Sequence, residues 1–120
     1  MLSPEVRQVV EESRPTEDVA FLVSIESDDA LARAARISDM VVRNDFLDGE
    51  FHQMKQPFVA SLAKYEDDGM RIIDELDGTP QLIVAAPAKI WRRMIREDIA
   101  MLSDPRLELC LNEADWHLEA

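Results

Sequence analysis

One stretch limits the possible folds of this chain more than any other: residues 69–102, GMRIIDELDGTPQLIVAAPAKIWRRMIREDIAML. Met70, Ile72, Ile73 and Leu76 form a short strand-like run, and Leu82, Ile83, Val84, Ala85 and Ala86 form a second. Between them, Asp77-Gly78-Thr79-Pro80 is a turn signal, because glycine accepts positive φ and proline fixes its own. The second run is apolar at consecutive positions, which predicts an interior strand covered on both faces. Pro87 ends that strand and suits the first turn of a following helix. At about 100° per residue, Ile90, Trp91, Met94, Ile95, Met101 and Leu102 then share one side of a helix reaching Leu102, with Ile99 at the edge of the stripe. Lys89, Arg92, Arg93 and Arg96 gather on the opposite side.

The flanking segments fill in the architecture. Ser3-Pro4-Glu5 is a helix start, with serine as cap and proline at the first helical position. Its apolar face is thin (Val6, Val9, Val10), so residues 1–15 are expected either to pack onto the domain or to form a mobile helical arm. Val19 to Glu26 alternates as a first strand. Ser27-Asp28-Asp29 caps a helix expected to run to about Arg43, with Leu31, Ala34, Ala35, Val41 and Val42 facing the core. Asn44 to Gln56 is expected to be irregular around an Asp48-Gly49 turn, and Pro57 to open another helix with Phe58, Val59, Leu62 and Ala63 inward. Each of the 3 glycines follows an aspartate, which marks turns and not a phosphate cradle. After the Asp104-Pro105 stop, Leu107, Leu109 and Leu111 alternate as a strand that could leave an open edge, and Trp116 and Leu118 are expected in a short last strand. The predicted fold is one α+β domain over residues 1–120, a small two-layer structure with helices packed on a mostly antiparallel sheet.

Composition narrows the function. With 25 acidic against 13 basic residues, the net charge is −12, and direct nucleic-acid binding would need the opposite field. The single Cys110 cannot form an internal disulfide and reads as a buried thiol in a reducing compartment. No apolar signal region or membrane-length stretch is present, so the expected location is cytoplasmic, with no membrane partner. The catalytic inventory is thin. There is no P-loop, GxGxxG, nucleophile elbow or EF-hand spacing, and neither His52 nor His117 has an acidic residue three positions before it. No cofactor or metal is expected. A catalytic site would have to be assembled from dispersed carboxylates and a histidine.

Val19–Asp29 (VAFLVSIESDD), Tyr65–Ile73 (YEDDGMRII) and Leu82–Glu97 (LIVAAPAKIWRRMIRE) together resemble the small coupling (effector) proteins of soluble bacterial multicomponent di-iron monooxygenases. The likeness covers about half the chain. It departs from the family's pattern at Ile95-Arg96-Glu97, where a glycine usually closes the helix, in the extra helix around Pro57–Glu66, and in the short C-terminal section. The resemblance implies a cofactor-free, acidic α+β protein that binds the hydroxylase component and adjusts access to its di-iron centre.

Residues and resemblance lead to the expectation of a non-enzymatic, acidic regulator that binds a larger protein, as monomer or homodimer. Its candidate contacts are Lys89, Arg92, Arg93 and Arg96 on the basic helix face and the acidic run Glu66, Asp67 and Asp68. The basic face reads either as a solvated surface offsetting acidic neighbours or as a docking surface for an acidic partner or anion. Three alternatives stay open: an inhibitor or immunity-type protein whose acids mimic nucleic acid and block an enzyme that handles it, a small enzyme with a dispersed carboxylate/His site, and a homo-oligomeric structural component.

Overall fold

The computed structural model describes residues 2–111. In chain order these form α1 (Pro4–Glu12), β1 (Asp18–Ile25), α2 (Asp28–Ala34), α3 (Met40–Leu62), a 3₁₀ segment (Ala63–Asp68), β2 (Arg71–Asp74), β3 (Gln81–Pro87), α4 (Ala88–Glu97), α5 (Ile99–Leu102) and β4 (Leu107–Leu111). The strands make one antiparallel sheet in the order β2-β3-β1-β4. The α+β class and the antiparallel sheet expected from the sequence are both present. The expected last strand around Trp116 and Leu118 lies outside the described residues, as does His117.

The sheet's inner face follows from the alternation. Val19, Phe21 and Val23 of β1, Leu82, Val84 and Ala86 of β3, and Leu107 and Leu109 of β4 are buried together. Onto this face pack Val6 and Val10 of α1, Phe58 and Leu62 of α3, Tyr65 of the 3₁₀ segment, Ile90, Trp91 and Met94 of α4, and Leu102 of α5. Trp91 is held in one orientation: it meets Phe21 edge-on at 4.9 Å, and its Nε1 donates to the Val19 carbonyl at 2.9 Å. The first helix therefore packs into the core and is no free arm. Its start is as read, with the Ser3 Oγ accepting from the Val6 amide. On the other face of the sheet Ala85 is buried, but Leu22, Ile83 and Cys110 are only partly covered, so the interior strand β3 has one closed face and one half-open face.

Turn chemistry is borne out at two of the three glycines. Gly69 (φ 109°) ends the 3₁₀ segment, and an added Cβ there would sit 3.1 Å from the Pro87 ring. Gly78 (φ 83°) closes the β2–β3 hairpin. Gly49, in contrast, is inside α3.

The region 27–62 differs most from the sequence reading. The expected helix to Arg43 stops at Ala34, and α3 begins at Met40. The restart has a local cause: the Asp39 carboxylate accepts from the Val41 and Val42 amides, a strong cap, while the Arg43 guanidinium donates to the Ile37 and Ser38 carbonyls and fixes the connection. At the start of α2 the cap is Glu26, whose carboxylate accepts from the Asp28 amide; the Ser27 side chain makes no capping bond. Asn44 to Gln56 is helical and not irregular, and Pro57 lies within α3 instead of opening a helix. A glycine and a proline inside a helix cost about 1 and about 3 kcal/mol respectively. Packing offsets this, because Phe51 and Lys55 before the proline and Phe58 and Leu62 after it are buried at helical spacing. Ala63, expected inward, is exposed. The helix expected to reach Leu102 breaks at Asp98 (φ −122°, ψ 35°), which separates α4 from α5.

Candidate functional site

The four basic residues of α4 do not act as one face. Strand β3 runs directly into α4 at Pro87, and the junction is held by the Ala88 and Lys89 amides donating to the Glu17 and Pro15 carbonyls. This sets α4 against the C-terminal end of α1. Arg92 is thereby drawn inward: its Nε donates to the Val10 carbonyl at 3.1 Å, and its Nη2 to the Glu11 and Ser13 carbonyls at 3.1 and 2.5 Å. The last turn of α1 has no basic residue of its own, so this guanidinium completes the cap from across the core.

Arg93 is likewise engaged. It pairs with Asp68 at 2.5 Å and lies 5.0 Å above the Tyr65 ring. Tyr65 is itself buried, and its hydroxyl donates to Asp98 and, at 3.2 Å, to Glu97. Burial first, then these carboxylates, push the phenol well above its ordinary value. Asp98 is pulled below its ordinary value by the hydrogen bonds from Lys64 and Tyr65. A network of Lys64, Asp98, Tyr65, Glu97, Arg93 and Asp68 thus ties the 3₁₀ segment to the end of α4. Lys89 and Arg96 are exposed on α4, and Glu66 and Asp67 on the 3₁₀ segment. The sequence-predicted basic and acidic patches are therefore neighbours, joined by the Arg93–Asp68 pair.

A second cluster comes from segments far apart in sequence. Lys55 of α3 is 4 % exposed, and its Nζ donates to the Glu75 and Leu76 carbonyls in the β2–β3 hairpin. Leu76 adopts φ 48°, the only non-glycine residue with positive φ among those described. Burial lowers the affinity of the Lys55 amine for its proton, opposed by the charges of Asp77, Glu75 and Asp74. Around it lies an open depression of about 470 Å³ lined by Asp48, His52, Lys55, Glu75, Asp77 and Gly78. The lysine is committed to backbone carbonyls, so it acts as a clamp between α3 and the hairpin. Among the described residues no group of His, Cys, Asp and Glu is placed to hold a metal ion. The sequence reading overlooked Lys55, although it is in helical phase with the buried Phe51, Phe58 and Leu62.

The third feature is apolar. Leu31, Ala35, Val41 and Val42, expected to face the core, are exposed, with Ala34 and Ala30 the buried positions of α2. Met40 and Val41 are each 69 % exposed and Val42 54 %. They surround the first turn of α3, at the outer end of a helical pair held together by Arg33, which bonds Asp29 and Glu50 and covers the Phe46 ring. A shallow groove of about 310 Å³ at the base of this pair is lined by Ile25, Met54, Phe58 and Met101 among others.

Cys110 is only partly buried, on the edge strand β4; burial and the Glu108 carboxylate raise its thiol above the ordinary value. Among the described residues no helix is long and apolar enough to cross a membrane. Comparison with protein-family models, curated proteins and solved structures finds no match to this chain.

Proposed function

We propose that this chain is a non-enzymatic, acidic regulator that docks on a basic surface of a larger protein. One observation carries the reading: eight of the 13 cations are engaged in hydrogen bonds or ion pairs within the fold, while two groups of carboxylates stand exposed on its surface. Arg92, Arg43 and Lys55 spend their donors on backbone carbonyls, and Arg33, Lys64, Arg71, Arg93 and Arg106 are paired with acids. Glu66 and Asp67 on one side, and Asp48, Asp74, Glu75 and Asp77 on the other, remain exposed. Such a surface steers toward positive charge and repels polyanions. Coupling of a di-iron monooxygenase, the family that the segments Val19–Asp29, Tyr65–Ile73 and Leu82–Glu97 resemble, is the specific form proposed.

The test is affinity capture from native-source lysate at low and high salt, read by mass spectrometry. The proposal expects a stoichiometric partner that is released by salt. Recovery of a large oxygenase supports the coupling form, and recovery of a nuclease supports the acidic-inhibitor form. Capture unaffected by salt removes the electrostatic basis of the reading.

A further inference from the structure

An aspartate followed by glycine carries a chemistry of its own, and this chain has three such pairs: Asp48-Gly49, Asp68-Gly69 and Asp77-Gly78. The glycine's backbone nitrogen can attack the carboxyl carbon of the aspartate before it, because no Cβ on the glycine obstructs the approach. A C–N bond forms, the carboxyl group in its acid form gives up its hydroxyl, the amide gives up its proton, and water leaves. The product is a five-membered succinimide. Water then adds to either ring carbonyl and opens it, restoring aspartate or leaving isoaspartate, in which the main chain runs through Cβ and the former side-chain carboxyl carbon. The mass of the final product equals that of the starting chain, and no oxidant or cofactor takes part. Ring closure requires a free glycine amide, a free carboxyl group and room for the peptide plane to turn.

The fold denies these conditions to two of the three pairs. Asp48 and Gly49 lie well inside α3, where the helical ladder holds the Gly49 amide. At Asp68-Gly69 both reacting groups are engaged: the Asp68 carboxylate pairs with Arg93, and the Gly69 amide donates to the Glu66 carbonyl. Asp77-Gly78 differs. It forms the tip of the β2–β3 hairpin, and both residues are exposed. Among the described residues no hydrogen bond engages the Asp77 carboxylate or the Gly78 amide, and Asp77 has no ion pair. The turn is closed instead by the Thr79 amide donating to the Leu76 carbonyl at 3.1 Å. The charge of Lys55 reaches Asp77, but its donors go to the Glu75 and Leu76 carbonyls. A Cβ at Gly78 would lie 3.3 Å from the Asp48 Oδ1, and glycine leaves that space clear.

We propose that Asp77-Gly78 is a site of spontaneous isoaspartate formation, selected by the fold from three identical dipeptides. The modification adds one backbone atom to the turn that the Thr79–Leu76 bond closes, and it moves the Asp77 carboxylate within the acidic depression. Leu76 also supplies one of the two carbonyls that receive Lys55, so the clamp between α3 and the hairpin loosens as the turn lengthens. This chemistry does not depend on the acidic docking proposed above.

The test is peptide mapping of the full chain after prolonged incubation in warm, mildly acidic buffer, with electron-transfer fragmentation to tell isoaspartate from aspartate at each pair. The folded wild type is expected to form isoaspartate at Asp77 at least about tenfold faster than at Asp48 or Asp68, which react only through local opening. In urea, where no fold shields them, the three should convert at similar rates. Asp77→Glu, which would need a six-membered ring, should lack the product at this position and keep the wild-type melting temperature. Amide exchange across residues 74–80 should be faster in the modified chain than in the unmodified one. Equal rates at the three pairs in the folded protein overturn the proposal, as does an Asp77 that converts no faster than the others. A preference for Asp77 that persists in urea overturns the role of the fold, and unchanged amide exchange overturns the loosening of the clamp.

Discussion

Replacing Arg92 separates the structure from a surface reading of α4. As an exposed member of a basic face, Arg92 could be reversed with little effect, since surface changes usually stay within about 0.5 kcal/mol. In the structure its guanidinium instead satisfies three carbonyls at the end of α1. A hydrogen bond to a charged group contributes about 1.5–3 kcal/mol net, and a cation at a helix C-terminus adds about 0.3–1 kcal/mol. The three bonds share one side chain and partly exposed carbonyls, so they do not add in full. Arg92→Ala should then cost about 2–4 kcal/mol, and Arg92→Glu more, because a carboxylate would face the same carbonyls. For a domain of this size that lowers the melting temperature by roughly 6–16 °C. Urea unfolding of Arg92→Glu beside Arg96→Glu is the assay, with Arg96 as the exposed control on the same helix. Equal and small losses in both variants would refute the cross-core cap and return Arg92 to the solvent.

Trp91→Ala should cost about 3–5 kcal/mol in denaturant unfolding, because the side chain is 1 % exposed and its Nε1–H is bonded inside the core. Lys55→Met keeps the aliphatic stem but strands the Glu75 carbonyl, and should cost about 1–3 kcal/mol by the same assay, with the greatest loss of amide protection in the β2–β3 hairpin. Acid sensitivity should depend on Asp98, whose carboxyl is held below its ordinary value by Lys64 and Tyr65. A depressed folded-state value stabilises above the unfolded value of about 3.9, and that stabilisation is lost as pH falls through the folded value. Melting followed from pH 6 downward should therefore show a shallower acid loss in Asp98→Asn than in the wild type below about pH 4.

The legibility of this fold in its sequence follows the strength of the periodic signal. The hairpin, β1, β4 and α4 were readable because Val19-Phe21-Val23, Leu107-Leu109 and Ile90-Trp91-Met94 repeat at strand or helix spacing, and the same residues form the core. Helix α3 was not, because Gly49 and Pro57 look like breakers and the residues that override them lie on both sides of the proline. Only tertiary packing of Phe51, Lys55, Phe58 and Leu62 decides the matter. The pair α2–α3 was misread for the opposite reason. Leu31, Val41 and Val42 are apolar and so were assigned to one core-facing stripe of a continuous helix, but the helix ends at Ala34 and restarts at Met40, which resets the phase and leaves all three exposed. In the candidate site, Glu66 and Asp67 are exposed as expected, while the inward course of Arg92 and Arg93 depends on where α1 and the 3₁₀ segment sit. No periodicity encodes that.

The central claim is that an outward acidic surface does the docking, and charge reversal measures it most directly. Capture from native-source lysate should be run with the wild type, with Glu66→Lys and Asp67→Lys together, and with Asp74→Lys and Asp77→Lys together, all of them exposed positions. The account predicts that at least one reversed pair loses the salt-sensitive partner while retaining the wild-type melting temperature. A partner retained at full yield by both reversed proteins would contradict it.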